Sequence, residues 1–133
     1  MDWQIILKEL LCPLATKSVY INTKNRDEAI KNKNVKYGPL NVDEPADYWE
    51  KIAEHWNTTE EAAKKSRCSN CVAFDISPRM KKCMPLEGEL GYCWMHDFKC
   101  HKDRSCYTWA KGGPIVQDEV SKKNQMRKEG KKA

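Results

Sequence analysis

Six of the seven cysteines of this 133-residue chain lie between positions 68 and 106, and they open with a Cys-x-x-Cys pair, Cys68-Ser69-Asn70-Cys71. Such a pair places two thiolates on one tight turn. They are then near enough to bind one metal or two corners of a cluster, and cysteines on returning loops complete the site. Cys83, Cys93, Cys100 and Cys106 follow, with eleven, nine, six and five residues between successive cysteines. This spacing points to a metal centre without saying which metal. Composition shows why one is needed. A hydrophobic content of 40% with a mean hydropathy of -0.83 makes a thin core, and a domain of this kind relies on disulfides or metal.

Compartment decides between those two. Met1-Asp2-Trp3-Gln4 lacks a positively charged start, and Lys8 and Glu9 interrupt the apolar stretch from Ile5 to Leu11, so neither a signal peptide nor a membrane span is expected. The expectation is a cytoplasmic protein whose clustered thiols stay reduced and bind metal. Cys12, far from the others in sequence, is expected as a buried free thiol.

The expected fold is a small, mainly irregular and α domain stabilised by a metal cluster, with a few short helices, many turns and little β. Residues 1–36 read as an N-terminal helix and arm. Asp2 caps a helix with apolar positions Trp3, Ile6, Leu7 and Leu10, and the polar stretch 16–36 follows as a loose arm holding a strand-like Val19-Tyr20-Ile21. Residues 37–116 form the cysteine-rich domain with its preceding helices. One begins at Pro45 and carries Trp49, Ile52, Ala53 and Trp56 at helical spacing; another starts at the capping-box pair Thr58 and Glu61. Residues 117–133 read as a basic disordered tail. From Ser121 onward, Lys122, Lys123, Arg127, Lys128, Lys131 and Lys132 against Glu129 account for the whole formal charge of +5.

Three stretches carry a family likeness: Cys68-Ser-Asn-Cys71-Val-Ala-Phe74, Cys83-Met-Pro-Leu-Glu-Gly88-Glu-Leu90, and Gly91-Tyr92-Cys93-Trp94. They resemble the high-potential iron-sulfur proteins, and most closely the high-potential-like proteins encoded by some bacteriophages. The resemblance implies a four-iron, four-sulfur (4Fe-4S) cluster held by Cys68, Cys71, Cys83 and Cys93, with Tyr92, Trp94 and Phe74 as aromatic shielding. Cys106-Tyr-Thr-Trp109 also resembles the family's Cys-x-x-Trp ending, which makes Cys106 the alternative fourth ligand in place of Cys93. Cys100 and Cys106 have no counterpart in the family. They are expected to close a small disulfide loop, the alternatives being free thiols or a second metal bound with His96 and His101.

The functional expectation is one-electron transfer through the cluster, with an unknown redox partner and no enzymatic activity. The chain carries no Gly-rich phosphate loop and no nucleophile-base pair. The alternative is a structural module in which the same cysteines hold a cluster or zinc, docked to a larger assembly such as a phage particle and so located in the virion. Zinc would take Cys68, Cys71, Cys93 and Cys100, or His96 in place of one. Nucleic-acid binding is disfavoured because the basic excess lies outside the cysteine region.

Overall fold

The computed structural model describes residues 12–38, 46–85 and 87–132. The expected first helix, with Trp3, Ile6, Leu7 and Leu10, lies outside the described residues. Among the described residues there are six α-helices: α1 (Leu14–Lys17), α2 (Val19–Lys31), α3 (Ala46–Trp56), α4 (Glu60–Lys65), α5 (Pro78–Cys83) and α6 (Asp118–Lys132). Three short strands, β1 (Phe74–Asp75), β2 (Leu90–Cys93) and β3 (Phe98–His101), form one antiparallel sheet in the order β1-β2-β3. None of the helices is long and apolar enough to cross a membrane.

Helix starts follow local chemistry. The hydroxyls of Ser18, Thr59 and Ser77 accept from the backbone N–H of Ile21 (3.2 Å), Ala62 (3.1 Å) and Met80 (3.3 Å), satisfying donors that a first turn leaves unpaired. Pro78 suits the first turn of α5, where no N–H is needed. The expected capping pair was one residue early: Thr59, not Thr58, caps α4.

Two segments differ from expectation. The stretch expected as a loose arm with a strand at Val19-Tyr20-Ile21 is the helix α2, which packs on β3. It docks through polar side chains: Asn22 Oδ1 accepts from the Lys99 N–H at 2.7 Å, and Asn25 Nδ2 donates to the Asp97 carbonyl at 2.6 Å. The expected disordered tail is the helix α6, with Ser121 and Gln125 buried one turn apart against α5. Arg79 donates to Ser121 Oγ at 2.8 Å and to Gln125 Oε1 at 2.5 Å.

A buried carboxylate joins this helix to the sheet. Asp75 on β1 is wholly inaccessible. It accepts from Trp94 Nε1 (2.9 Å), from the Ser77 N–H (2.9 Å) and from the Ser121 hydroxyl. The main core surrounds the sheet with Phe74, Tyr92, Phe98, Met80 and Ile115. A second cluster of Trp49, Ile52, Ala53 and Ala63 binds α3 to α4. Trp56 Nε1 ties that second cluster to the cysteine-rich body by donating to the Tyr107 carbonyl at 3.0 Å.

Replacing Asp75 with Ala strands several buried donors without an acceptor, so Asp75→Ala is expected to cost about 3 kcal/mol of stability. Urea denaturation followed by circular dichroism reads this directly. A loss below about 0.5 kcal/mol, the scatter of ordinary surface changes, would show that the carboxylate does not hold α6 to the sheet.

Candidate metal centre

Cys68–Asn70 is a 3-10 turn leading into Cys71, and it is gripped on both sides. Cys68 N–H donates to the Arg104 carbonyl at 2.7 Å and Ser69 N–H to the Lys102 carbonyl at 3.0 Å, while Val72 N–H reaches the Ala110 carbonyl at 2.8 Å. Trp109 Nε1 donates to the Arg67 carbonyl and to Asn70 Oδ1, each at 2.9 Å, clasping the turn. Gly113 lies directly on it: a Cβ there would sit 1.7 Å from the Cys71 carbonyl oxygen, so only glycine permits the approach.

The sheet brings the next sulfurs. In the β2–β3 pair, Cys93 is opposite Phe98 and Gly91 is opposite Cys100, which puts Cys93 and Cys100 on one face. Phe74 of β1 is opposite Cys93 and lies over Gly91, where an added Cβ would come within 2.5 Å of its ring. Cys106 arrives from the segment after β3, its sulfur 3.1 Å from Thr108 Oγ1. The result is one cavity lined by Cys68, Cys71, Cys93, Cys100 and Cys106 together with Phe74, Met95 and Trp109. All five cysteines are unbridged and buried.

Three of the expected ligands, Cys68, Cys71 and Cys93, therefore meet, and so does Cys106, the alternative. Cys83 does not join them. It ends α5 and is bonded to Cys12, with a Cα–Cα distance of 5.6 Å, within the ordinary range for a disulfide. Cys12 is correspondingly not a free thiol, and Cys100 and Cys106 are not joined to each other. The aromatic shell also differs from expectation. Phe74 lines the cavity, but Tyr92 and Trp94 pack on each other with ring centres 4.7 Å apart, away from the sulfurs, and Met95 and Trp109 take their place. Tyr92 follows from its position: it alternates with Cys93 along β2 and faces the other side of the sheet.

Neither His96 nor His101 lines the cavity. His96 Nε2 pairs with Thr108 Oγ1 at 2.7 Å, and burial together with nearby Lys128 holds its pKa down. His101 stands with Glu89 and Asp103 at the surface, where Lys102 already pairs with Glu89 at 3.5 Å.

The sulfurs are electrostatically distinct. A hydrogen bond from Cys100 is the largest influence lowering the Cys93 pKa, helped by the N–H groups of His96 and Met95 and opposed by burial. Burial raises Cys71, partly offset by the N–H groups of Ala110 and Ala73. Burial pushes Cys106 up to about 12 and lifts Cys100 well above a free thiol. Cys100 interacts with both Cys68 and Cys93.

This donor set fits a soft metal: five thiols, with no carboxylate or imidazole among the lining residues. A void of about 10 Å³ lies in the pocket that these thiols line.

Comparison with family models, with curated proteins and with solved structures yields no match.

Thiol titration of the denatured, metal-free protein without reductant is expected to find five reactive thiols, the unbridged set. Cys12→Ser and Cys83→Ser should each expose one more. Wild-type protein showing all seven cysteines as thiols would refute the pairing.

Proposed function

We propose that this protein binds a four-iron, four-sulfur cluster through Cys68, Cys71, Cys93 and Cys106 and passes single electrons through it. The observation that carries the reading is the convergence of five unbridged, buried thiols on one apolar cavity in the main core. The resemblance of Cys68-Ser-Asn-Cys71 and Cys106-Tyr-Thr-Trp109 to the high-potential iron-sulfur proteins points the same way.

Cys106, not Cys100, is taken as the fourth ligand. Cys106-Tyr-Thr-Trp109 resembles the family's Cys-x-x-Trp ending, whereas nothing in the family's pattern corresponds to Cys100.

The cluster, when bound, supplies one-electron redox chemistry, and the chain sets its terms. Phe74, Met95 and Trp109 keep water from the sulfurs. The N–H groups of Met95 and His96 at Cys93, and of Ala73 and Ala110 at Cys71, stabilise negative charge on sulfur. Trp109 and Asn70 fix the Cys68–Cys71 turn. No substrate bond is made or broken, and the counterpart is a redox protein or small electron carrier.

Anaerobic purification with iron, zinc and acid-labile sulfide analysis tests the reading. About four irons and four sulfides per chain with a broad brown absorption are expected. Cys71→Ser and Cys106→Ser should lose the cluster and much of the fold, because metal-binding free energy is folding free energy, while Cys83→Ser keeps its iron. A colourless protein with stoichiometric zinc would replace electron transfer with a structural metal module.

A further inference from the structure

We propose that the pocket between α2 and β3 binds a small organic phosphate. This site is separate from the metal centre and does not depend on the cluster reading. Side chains alternate along β3, so Lys99 and His101 face the side opposite Cys100, and α2 packs on this strand. On α2, Asn22, Arg26 and Ile30 recur at every fourth position and share one face. With Tyr37, Leu90 and Arg104 these residues line a pocket of about 320 Å³. Its lining holds three cationic side chains, Arg26, Lys99 and Arg104, and no carboxylate. Other grooves are balanced: Lys81 and Lys102 stand with Glu87 and Glu89 in one, and Lys128 with Asp97 in another.

The carboxylates just outside the pocket decide which cations matter. Glu87 pairs with Lys99 at 2.8 Å and Glu89 stands 3.5 Å from His101, so the two guanidinium groups are the main partners for an anion. Arg26 has only Asp27 at 3.7 Å, a solvent-screened surface pair that is worth little. Arg104 is held in place: Nη1 donates to the Gly38 carbonyl at 2.9 Å, and the guanidinium lies over the Tyr37 ring, 5.3 Å from its centre. Neutral donors add to the set. Asn22 accepts from the Lys99 N–H through Oδ1, which leaves its NH2 group to donate. The hydroxyl of Tyr37, a residue only 7% exposed, accepts from the His101 N–H at 2.8 Å and keeps its own proton to donate. Donors on a helix, a strand and the segment after it suit a tetrahedral dianion, whose oxygens point to several walls at once, better than a planar carboxylate. A pocket of this size holds more than a phosphate group, and Ile30 and Leu90 give an apolar wall for the organic remainder.

Calorimetric titration of the full-length protein with phenyl phosphate, inorganic phosphate and a short single-stranded DNA tests the proposal. Saturable binding of about one phenyl phosphate per chain is expected, tighter than that of inorganic phosphate. Arg26→Gln and Arg104→Gln should each weaken it by about tenfold or more, as loss of a hydrogen bond to a charged group implies. Arg127→Gln, in a different groove, should leave it unchanged. Arg26 is 46% exposed, so its variant decides the matter should Arg104→Gln not fold. Absence of saturable binding, or wild-type affinity in Arg26→Gln, would overturn the proposal. Inorganic phosphate binding as tightly as phenyl phosphate would overturn it too, since the apolar wall would then contribute nothing. DNA binding more tightly than phenyl phosphate, with the same dependence on Arg26, would make this a nucleic-acid surface instead.

Discussion

Bringing five sulfurs to one place is the constraint on which the rest of the structure turns. They come from a 3-10 turn, from two adjacent strands and from the segment after β3, and each approach needs its own backbone device. The turn is clasped by Trp109 and Asn70, Gly91 and Gly113 allow ring and backbone to close in, and the β2–β3 register aims Cys93 and Cys100 together. Buried free cysteine packs as a small hydrophobe, so one such residue needs no special account. Five lining one cavity make a donor set that suits a soft cation.

The surrounding elements serve this convergence. The sheet is very small, β1 having only two residues, and could not stand alone. Helix α2 packs on β3 and α6 on α5, and the apolar contact comes from Ile21 and Ala29 of α2. Amide and hydroxyl side chains make the attachments: Asn22 and Asn25 to the β3 region, and Ser121 and Gln125 to Asp75 and Arg79. Attachment by directed polar bonds fixes orientation closely, since each buried donor or acceptor is costly to leave unmatched.

That manner of docking explains what the sequence did and did not reveal. Trp49, Ile52, Ala53 and Trp56 recur at helical spacing, and α3 lies where that periodicity put it. The Asn- and Lys-rich stretch of α2 and the Lys-rich stretch of α6 carry no such signal, because hydropathy cannot distinguish an asparagine that bonds a strand backbone from one that faces water. At the site, Cys68 and Cys71 were legible from their spacing, and Cys93 and Cys106 from local likeness. Cys83 was misplaced because spacing along the chain says nothing of how α5 turns it towards Cys12, seventy-one residues away. Met95 and Trp109 as lining residues followed only from the three-dimensional course of the chain, although the Cys-x-x-Trp spacing of Cys106 and Trp109 hinted at the latter.

Intact-mass measurement under non-denaturing, anaerobic conditions tests the central claim most directly, because it counts every bound atom on the folded chain. One dominant species carrying the mass of four irons and four sulfides is expected, collapsing to the bare chain when the protein is unfolded. A dominant species carrying one zinc, or a folded chain with no bound metal after anaerobic preparation in iron-replete medium, would contradict it.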